Sequence, residues 1–484
     1  MQAGGPLLSG RPRLNESLAP LSSFSAVTPL IVATALFMEN LDGTVLSTAL
    51  PAMALDLHED PVALKLALTS YLLALALFIP LSGWAADKFG ARTVFGAAIL
   101  VFTLGSILCG LSTTLAAVVL SRIVQGVGGA MMVPVGRLVI LRTQPRAELV
   151  RALAYLTIPA LIGPLVGPPL GGFIATFFHW RYIFWINVPI GMLGIVLAWL
   201  FIPNLREAEV WPLDVKGALL SGVGLAAIVS GVSIVGRDVA PPMLVGILLV
   251  LGVAALALYL RHARRVATPI LDLRLLAKPS FRAALCGGFF FRVGIGAIPF
   301  LLPLMLQAGF ALTAFQSGSL TFVAAAGAMA MKTTAQPILR ALSFRRVLIA
   351  NALLCCGFLV VNALFTPDTP HWAIMAILLT GGFFRSLEFT ALNALTFAEV
   401  ESPEMSRATS FSAVVQQLSQ SFGVAIGAAG LEFARGLHGD TVLRAGDFAP
   451  AFLAVAAVSA VSVLFFLPLA ANAGDELTGR VREG

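Results

Sequence analysis

Eight ionisable residues stand inside long apolar runs of this chain: Glu39, Asp42, Arg122, Arg137, Arg292, Lys332, Arg385 and Glu388, with Lys65 near the end of another run. In hydrocarbon such groups are expensive, and their presence marks ion or substrate pathways. Glu39 and Asp42 are three residues apart, which puts both on one face of a helix. Two neighbouring carboxylates in a low dielectric resist double ionisation. One of them is therefore expected to hold a proton that can leave and return. The chemistry implied is proton coupling, with Asp42 and Glu39 as carriers and Arg122 biasing their protonation. The alternative is a fixed Asp42–Arg122 pair that never titrates. Arg385 and Glu388 are one turn apart and either neutralise each other or face a cavity. Arg292 and Lys332 have no acid nearby in sequence. They either reach an interface along their alkyl stems or point inward and favour an anionic group. With Asn393, these four are the candidate cavity residues. The balance of five bases to three acids leans toward neutral or anionic cargo.

The elements that carry these residues must lie in lipid. Hydrophobic residues make up 58% of the 484 and charged residues 11%, against roughly 45–50% and about 25% in soluble chains. A single soluble core stops growing at about 250–300 residues. A spanning helix needs about 20 mostly apolar residues, and fourteen such runs begin near Ala26, Val62, Thr93, Leu115, Val150, Tyr182, Gly217, Pro241, Arg282, Ser317, Val347, His371, Ala408 and Pro450. They are continuous rather than alternating, so helices are expected and a β-barrel is not. With both termini inside, the outer loops hold only Arg181, Arg237, Arg435 and Arg444. Every other loop cation falls on the inner side, as cytoplasmic loops require. The net charge of +7 thus reflects topology and not a nucleic-acid surface. Cys109, Cys286, Cys355 and Cys356 fall in apolar runs without zinc-ligand or disulfide spacing. No metal, cofactor or enzymatic constellation is expected.

Several segments combine charge, glycine and proline in ways that suit moving helices. Gly83-Trp-Ala-Ala-Asp-Lys-Phe-Gly-Ala-Arg92 joins two apolar runs. Gly83 and Gly90 allow tight turns. Asp87 can pair with Arg92, while Lys88 supplies a second cation; such contacts would latch one conformation. Gly163-Pro-Leu-Val-Gly-Pro-Pro-Leu-Gly-Gly172 packs Gly163, Pro164, Gly167, Pro168, Gly171 and Gly172 into one helix. Proline disturbs the helix and small residues admit close neighbours, so a bent pivot is expected. No strand–helix unit surrounds these glycines, which excludes a nucleotide loop.

These segments resemble the signatures of the major facilitator superfamily. The Gly83–Arg92 segment resembles its loop between the second and third spans. Leu41-Asp-Gly-Thr-Val-Leu-Ser-Thr-Ala-Leu-Pro51 is similar to the first-span signature of drug/proton antiporters, with Ser47 in place of an asparagine. Leu120–Ala130 resembles the fourth-span motif with its arginine, Gly163–Gly172 the fifth-span antiporter motif, and Trp180–Gly191 the sixth-span start of the 14-span branch. The resemblance covers about residues 26–470 and implies an all-α integral membrane fold. Its expected parts are a cytoplasmic tail (1–25), a six-helix bundle (26–203), two additional transmembrane helices (204–260), a basic cytoplasmic loop (261–281), a second six-helix bundle (282–472) and a cytoplasmic tail (473–484). Gln336–Arg346 sits where the second bundle should repeat the Gly83–Arg92 loop, without its Asp and Gly. The family implies proton-coupled efflux of small molecules by alternating access, as a monomer in a bacterial inner membrane, driven by the proton motive force. The charge balance keeps organic anions and metal–carboxylate chelates as alternative cargo.

Overall fold

The computed structural model describes residues 27–143, 149–204, 206, 212–234, 242–401, 404–439 and 442–474. Among the described residues there is no strand. The expected tails, 1–25 and nearly all of 473–484, lie outside them, as do Arg146 and Arg237.

The helices are α1 (Val27–Leu57), α2 (Lys65–Phe89), α3 (Ala91–Leu111), α4 (Leu115–Thr143), α5 (Leu149–Phe177), α6 (Tyr182–Phe201) and α7 (Val215–Ile234). They continue with α8 (Pro242–Ala263), α9 (Pro279–Leu304), α10 (Ala314–Ala341), α11 (Phe344–Ala363), α12 (His371–Phe397), α13 (Met405–His438) and α14 (Ala445–Phe466). A helix therefore lies at each expected run. Most helices start a little before the apolar stretch, because hydropathy marks entry into hydrocarbon while the first turn is polar. Among the described residues twelve are long and apolar enough to cross a membrane. The other two are α5, whose apolar part is Ile162–Phe177, and α13, which carries Ser412, Gln416, Gln417, Ser419, Gln420 and Ser421.

Local chemistry sets the ends. Pro279 occupies the first turn of α9, where its missing N–H costs nothing. Glu399 caps that turn, accepting from the Ser280 backbone N–H (3.2 Å) and Oγ (2.7 Å). Thr313 and Gln316 form a reciprocal capping box at α10. Gly90, at φ +93°, separates α2 from α3.

The first six helices pack among themselves around Val32, Phe95, Phe102 and Ile140, and the last six around Phe291, Phe344, Leu348 and Leu392. Two seams join the groups: α5 lies against α10, and α2 against α13. A third core, with Leu50, Phe184, Phe300 and Phe452, runs across both groups at one end. Helices α7 and α8 pack on each other, and α7 also touches both α2 and α13. Met243, Val250 and Val253 of α8 are exposed, as a lipid-facing helix requires.

Candidate functional site: a buried acid–arginine cluster beside a central cavity

Helix α1 carries Glu39 and Asp42 one turn apart, yet their surroundings differ completely. Asp42 is buried and touched by three donors. Arg122 Nη1 donates to Oδ2 at 2.6 Å, while Gln125 Nε2 (2.8 Å) and Asn187 Nδ2 (2.9 Å) donate to Oδ1. Arg122 and Gln125 share a face of α4 because they are three residues apart. Arg122 Nε donates to the Ala67 carbonyl (3.1 Å), and its guanidinium lies 4.2 Å from the centre of the Tyr71 ring. Gln125 and Asn187 also donate to Ser106 Oγ, at 2.8 and 3.2 Å. Removing two charges from water is costly unless their remaining hydrogen-bonding groups are satisfied. The amides, the serine and the carbonyl provide most of that satisfaction.

Glu39 has no such shell. It is half-buried, and its buried Oε2 has no hydrogen-bond partner; the nearby Tyr71 hydroxyl is also buried and unpartnered. Arg137 lies within Coulombic reach of Glu39 and is itself exposed, without an ion pair within 4 Å among the described residues. Asp42 is thus sealed by donors, and Glu39 is unengaged beside an exposed cation. Gln125, Asn187, Ser106 and Tyr71 were not singled out from sequence. Two signals could have found them: Gln125 is one turn after Arg122, and Asn187 is an amide inside the sixth-span segment.

The Gly83–Arg92 segment is built otherwise than expected. Asp87 pairs with Arg142 of α4 at 2.6 Å, not with Arg92. Arg92 instead lies over the Trp199 ring, 5.1 Å from its centre. Lys88 sits 4.7 Å from the centre of the Trp84 ring. The reason is helical geometry: Asp87 ends α2 and Arg92 begins α3, on opposite sides of the Gly90 turn. Gly90 suits glycine because its φ of +93° is one that side-chain-bearing residues rarely adopt, and a Cβ there would also displace the Asn204 side chain. Gly83 lies within α2 and a Cβ there would meet nothing within 4 Å, so it makes no tight turn.

The α5 glycines line both neighbours. A Cβ at Gly167 would stand 2.0 Å from Thr44 Oγ1, one at Gly171 2.3 Å from the Val45 carbonyl oxygen, and one at Gly163 3.0 Å from Asn40. These face α1. Gly172 faces the other group: its Cβ would stand 2.3 Å from the Ala314 carbonyl, and Gly318 of α10 approaches Pro168 in return. The helix runs through Pro164, Pro168 and Pro169 without interruption.

Between the two groups lies a cavity with about 880 Å³ of empty space, part of it open to solvent. Its walls include Thr44, Ser47, Pro164 and Pro168 from α1 and α5, and Pro299, Thr321, Phe358, Asn362 and Arg385 from α9 to α12. Of the candidate cavity residues, Arg385 alone belongs to this lining. Arg292 and Glu388 are buried behind it among the last six helices. Lys332 is exposed and donates to Thr390 Oγ1 at 3.3 Å, and Asn393 is exposed. Arg385 and Glu388 form no ion pair within 4 Å among the described residues.

At the end of the molecule where α1 meets α2, two ion pairs join the groups. Lys65 Nζ, fully buried, meets Glu432 at 2.9 Å, and Arg435 meets Asp60. Lys65 and Arg435 were noted from sequence but not their acids; the partner of Lys65 lies 367 residues away.

The geometry has counterparts among known proteins. Two relatives, each named "Putative multidrug resistance protein MdtD", come from Pectobacterium atrosepticum and Salmonella paratyphi B. The first is 38% identical over 396 residues, covering 82% of this chain and 85% of the relative. The second is 39% identical over 402 residues, covering 82% and 84%. A D-xylose–proton symporter structure superposes with a TM-score of 0.68 at 12% identity, covering 93% of this chain and 99% of that one. A bacterial homologue of the human lysosomal transporter Spinster, in an inward-facing and unoccupied conformation, gives 0.63 at 14%, covering 96% and 100%. At such identities these structures speak for the fold alone. The sequence model of the Major Facilitator Superfamily matches residues 32–428. With two helical groups around a central cavity and relatives of this similarity, the chain is a multi-pass membrane transporter that belongs to the major facilitator superfamily.

Proposed function

We propose that this transporter is a small-molecule:proton antiporter that exports cargo across a bacterial inner membrane by alternating access. The observation that carries this reading is the contrast on α1: Glu39 is half-buried with no hydrogen-bond partner on its buried Oε2, while Asp42 one turn away is held by three donors. A proton carrier must give up and regain its proton as the helices move, and Glu39 is free to do so. Asp42 and Arg122 then act as the fixed frame that orients α1 against α4 and α6. Inward proton flow drives outward cargo flow; one charge moving through 100 mV contributes about 2.3 kcal/mol. The ion pairs Lys65–Glu432 and Arg435–Asp60 would close the outer end in this conformation, with the cavity facing inward. The relatives' names support multidrug cargo.

A second reading of the cargo, organic anions or their metal–carboxylate chelates, is favoured by Arg385, the charged side chain in the cavity wall.

Proteoliposome transport tests the scheme, with ethidium and citrate as probes and an imposed pH gradient. The wild type should accumulate one probe in a gradient-dependent way. Glu39→Gln should hold only what the membrane potential supports, while still exchanging labelled for unlabelled probe. Full gradient-driven transport by Glu39→Gln would refute the assignment of Glu39.

A further inference from the structure

The last six helices hold a second buried acid and arginine, in a different state from Asp42 and Arg122. Glu388 of α12 is fully buried. Its Oε2 accepts from Asn351 Nδ2 of α11 at 3.0 Å, and its buried Oε1 has no partner. Arg292 of α9 is 1% exposed, and its Nε and Nη2 are buried without partners. Each group lies in the other's Coulombic field, yet no nitrogen–oxygen contact within 4 Å joins them among the described residues. A carboxylate and a guanidinium buried this close, each short of partners, would be drawn together. A guanidinium does not shed its proton in proteins. Their separation is therefore the arrangement expected when the acid carries a proton.

We propose that Glu388 is a second proton-binding site of this transporter, with Arg292 as the counter-charge it meets once the proton has left. Arg292 is seated against the glycine face of its own helix. Its Nη1 lies 2.6 Å from where a Gly288 Cβ would stand, so it occupies space that only glycine leaves open. Its guanidinium rests 5.7 Å from the centre of the Phe389 ring, beside the acid. The other groups around Glu388 do not replace this partner. From α11 come Asn351, Cys355 and Cys356; Arg385, one turn back on α12, lines the cavity. From α10 comes Lys332, bonded to Thr390. The charged residues of α13 are engaged elsewhere, Arg407 with Asp272, Glu432 with Lys65 and Arg435 with Asp60.

The first and fourth helices of each six-helix group thus carry the ionic cluster, with the charges exchanged. The acid is on α1 and the arginine on α4; the arginine is on α9 and the acid on α12. Cys355 lies in the Coulombic field of Glu388 and also lines the cavity, so the site adjoins the cargo space. The assignment rests on the proton-coupled reading and gives each group its own proton.

pH-difference infrared spectroscopy on the full chain in lipid nanodiscs tests it without any cargo. The wild type should show two carbonyl-stretch bands from protonated carboxyls that disappear as the pH rises. Glu388→Gln should remove one of them, and Glu388→Asp should keep a displaced version. Glu39→Gln should remove the other, so a failure at Glu39 is read separately from a failure at Glu388. Should Glu388→Gln not fold, Asn351→Leu deletes the donor to the same carboxyl and should move its band to higher frequency. A full set of titrating bands in Glu388→Gln, or bands unmoved by Asn351→Leu, overturns the proposal.

Discussion

Asp42 accepts from Arg122, Gln125 and Asn187, and a buried acceptor that loses one donor costs about 1–3 kcal/mol. Gln125→Leu and Asn187→Leu should each lower the thermal unfolding temperature in detergent. Arg122→Ala should do so more severely, by about 3–5 kcal/mol, because it leaves Asp42 buried and unpaired. Equal melting of all three with the wild type would mean that the cluster is not part of the stabilising frame. At this scale the sequence made Glu39, Asp42 and Arg122 legible, since charges inside apolar runs are conspicuous. It did not show how differently they are held. That difference depends on which polar side chains of α3, α4 and α6 converge on Asp42, and hydropathy carries no record of that.

The element scale is governed by how closely helix backbones approach. Gly83→Ala should be tolerated or slightly stabilising, by about 0.5–1 kcal/mol, because it sits inside a helix with open space around it. Gly90→Ala should destabilise, since its φ of +93° and its contact with Asn204 both exclude a side chain. Melting temperatures of the two variants check the contrast, and equal shifts would contradict it. Gly167→Val should abolish transport by driving α5 off α1. The loop between α8 and α9 offers a pH test. Lys278 donates to Glu404 and holds its carboxyl below the ordinary 4.5. The folded value lies below the unfolded one, so the tie contributes above pH 4.5 and is lost as the pH falls beneath it. Proteolysis within 261–281 should therefore quicken as the medium is acidified below that point, and Glu404→Gln should be cut at one rate above and below it. The helices were legible because long apolar runs admit one kind of structure in lipid. In this conformation Asp87 meets Arg142 and not Arg92, because the two residues close in sequence lie on opposite sides of a glycine turn.

For the whole molecule, the ion pairs Lys65–Glu432 and Arg435–Asp60 are among the contacts the two groups must break to part at that end. Glu432→Gln combined with Asp60→Asn should favour the alternative conformation. The native Cys355 in the cavity wall reports this. In spheroplasts, an impermeant maleimide should label it faster in the double variant than in the wild type. Unchanged labelling would remove these pairs from the gate. No window of sequence could pair residues so far apart, although the composition of the chain announced the fold class at once. Helices α7 and α8 carry a further consequence. Because α7 touches both α2 and α13, that seam is walled off from the bilayer, while Phe173 and Phe177 of α5 and Phe315 of α10 stay exposed along the other. The transporter is lopsided toward lipid. A greasy molecule dissolved in the membrane therefore meets one bare seam instead of two, and there Gly172 and Gly318 hold α5 and α10 in close backbone contact.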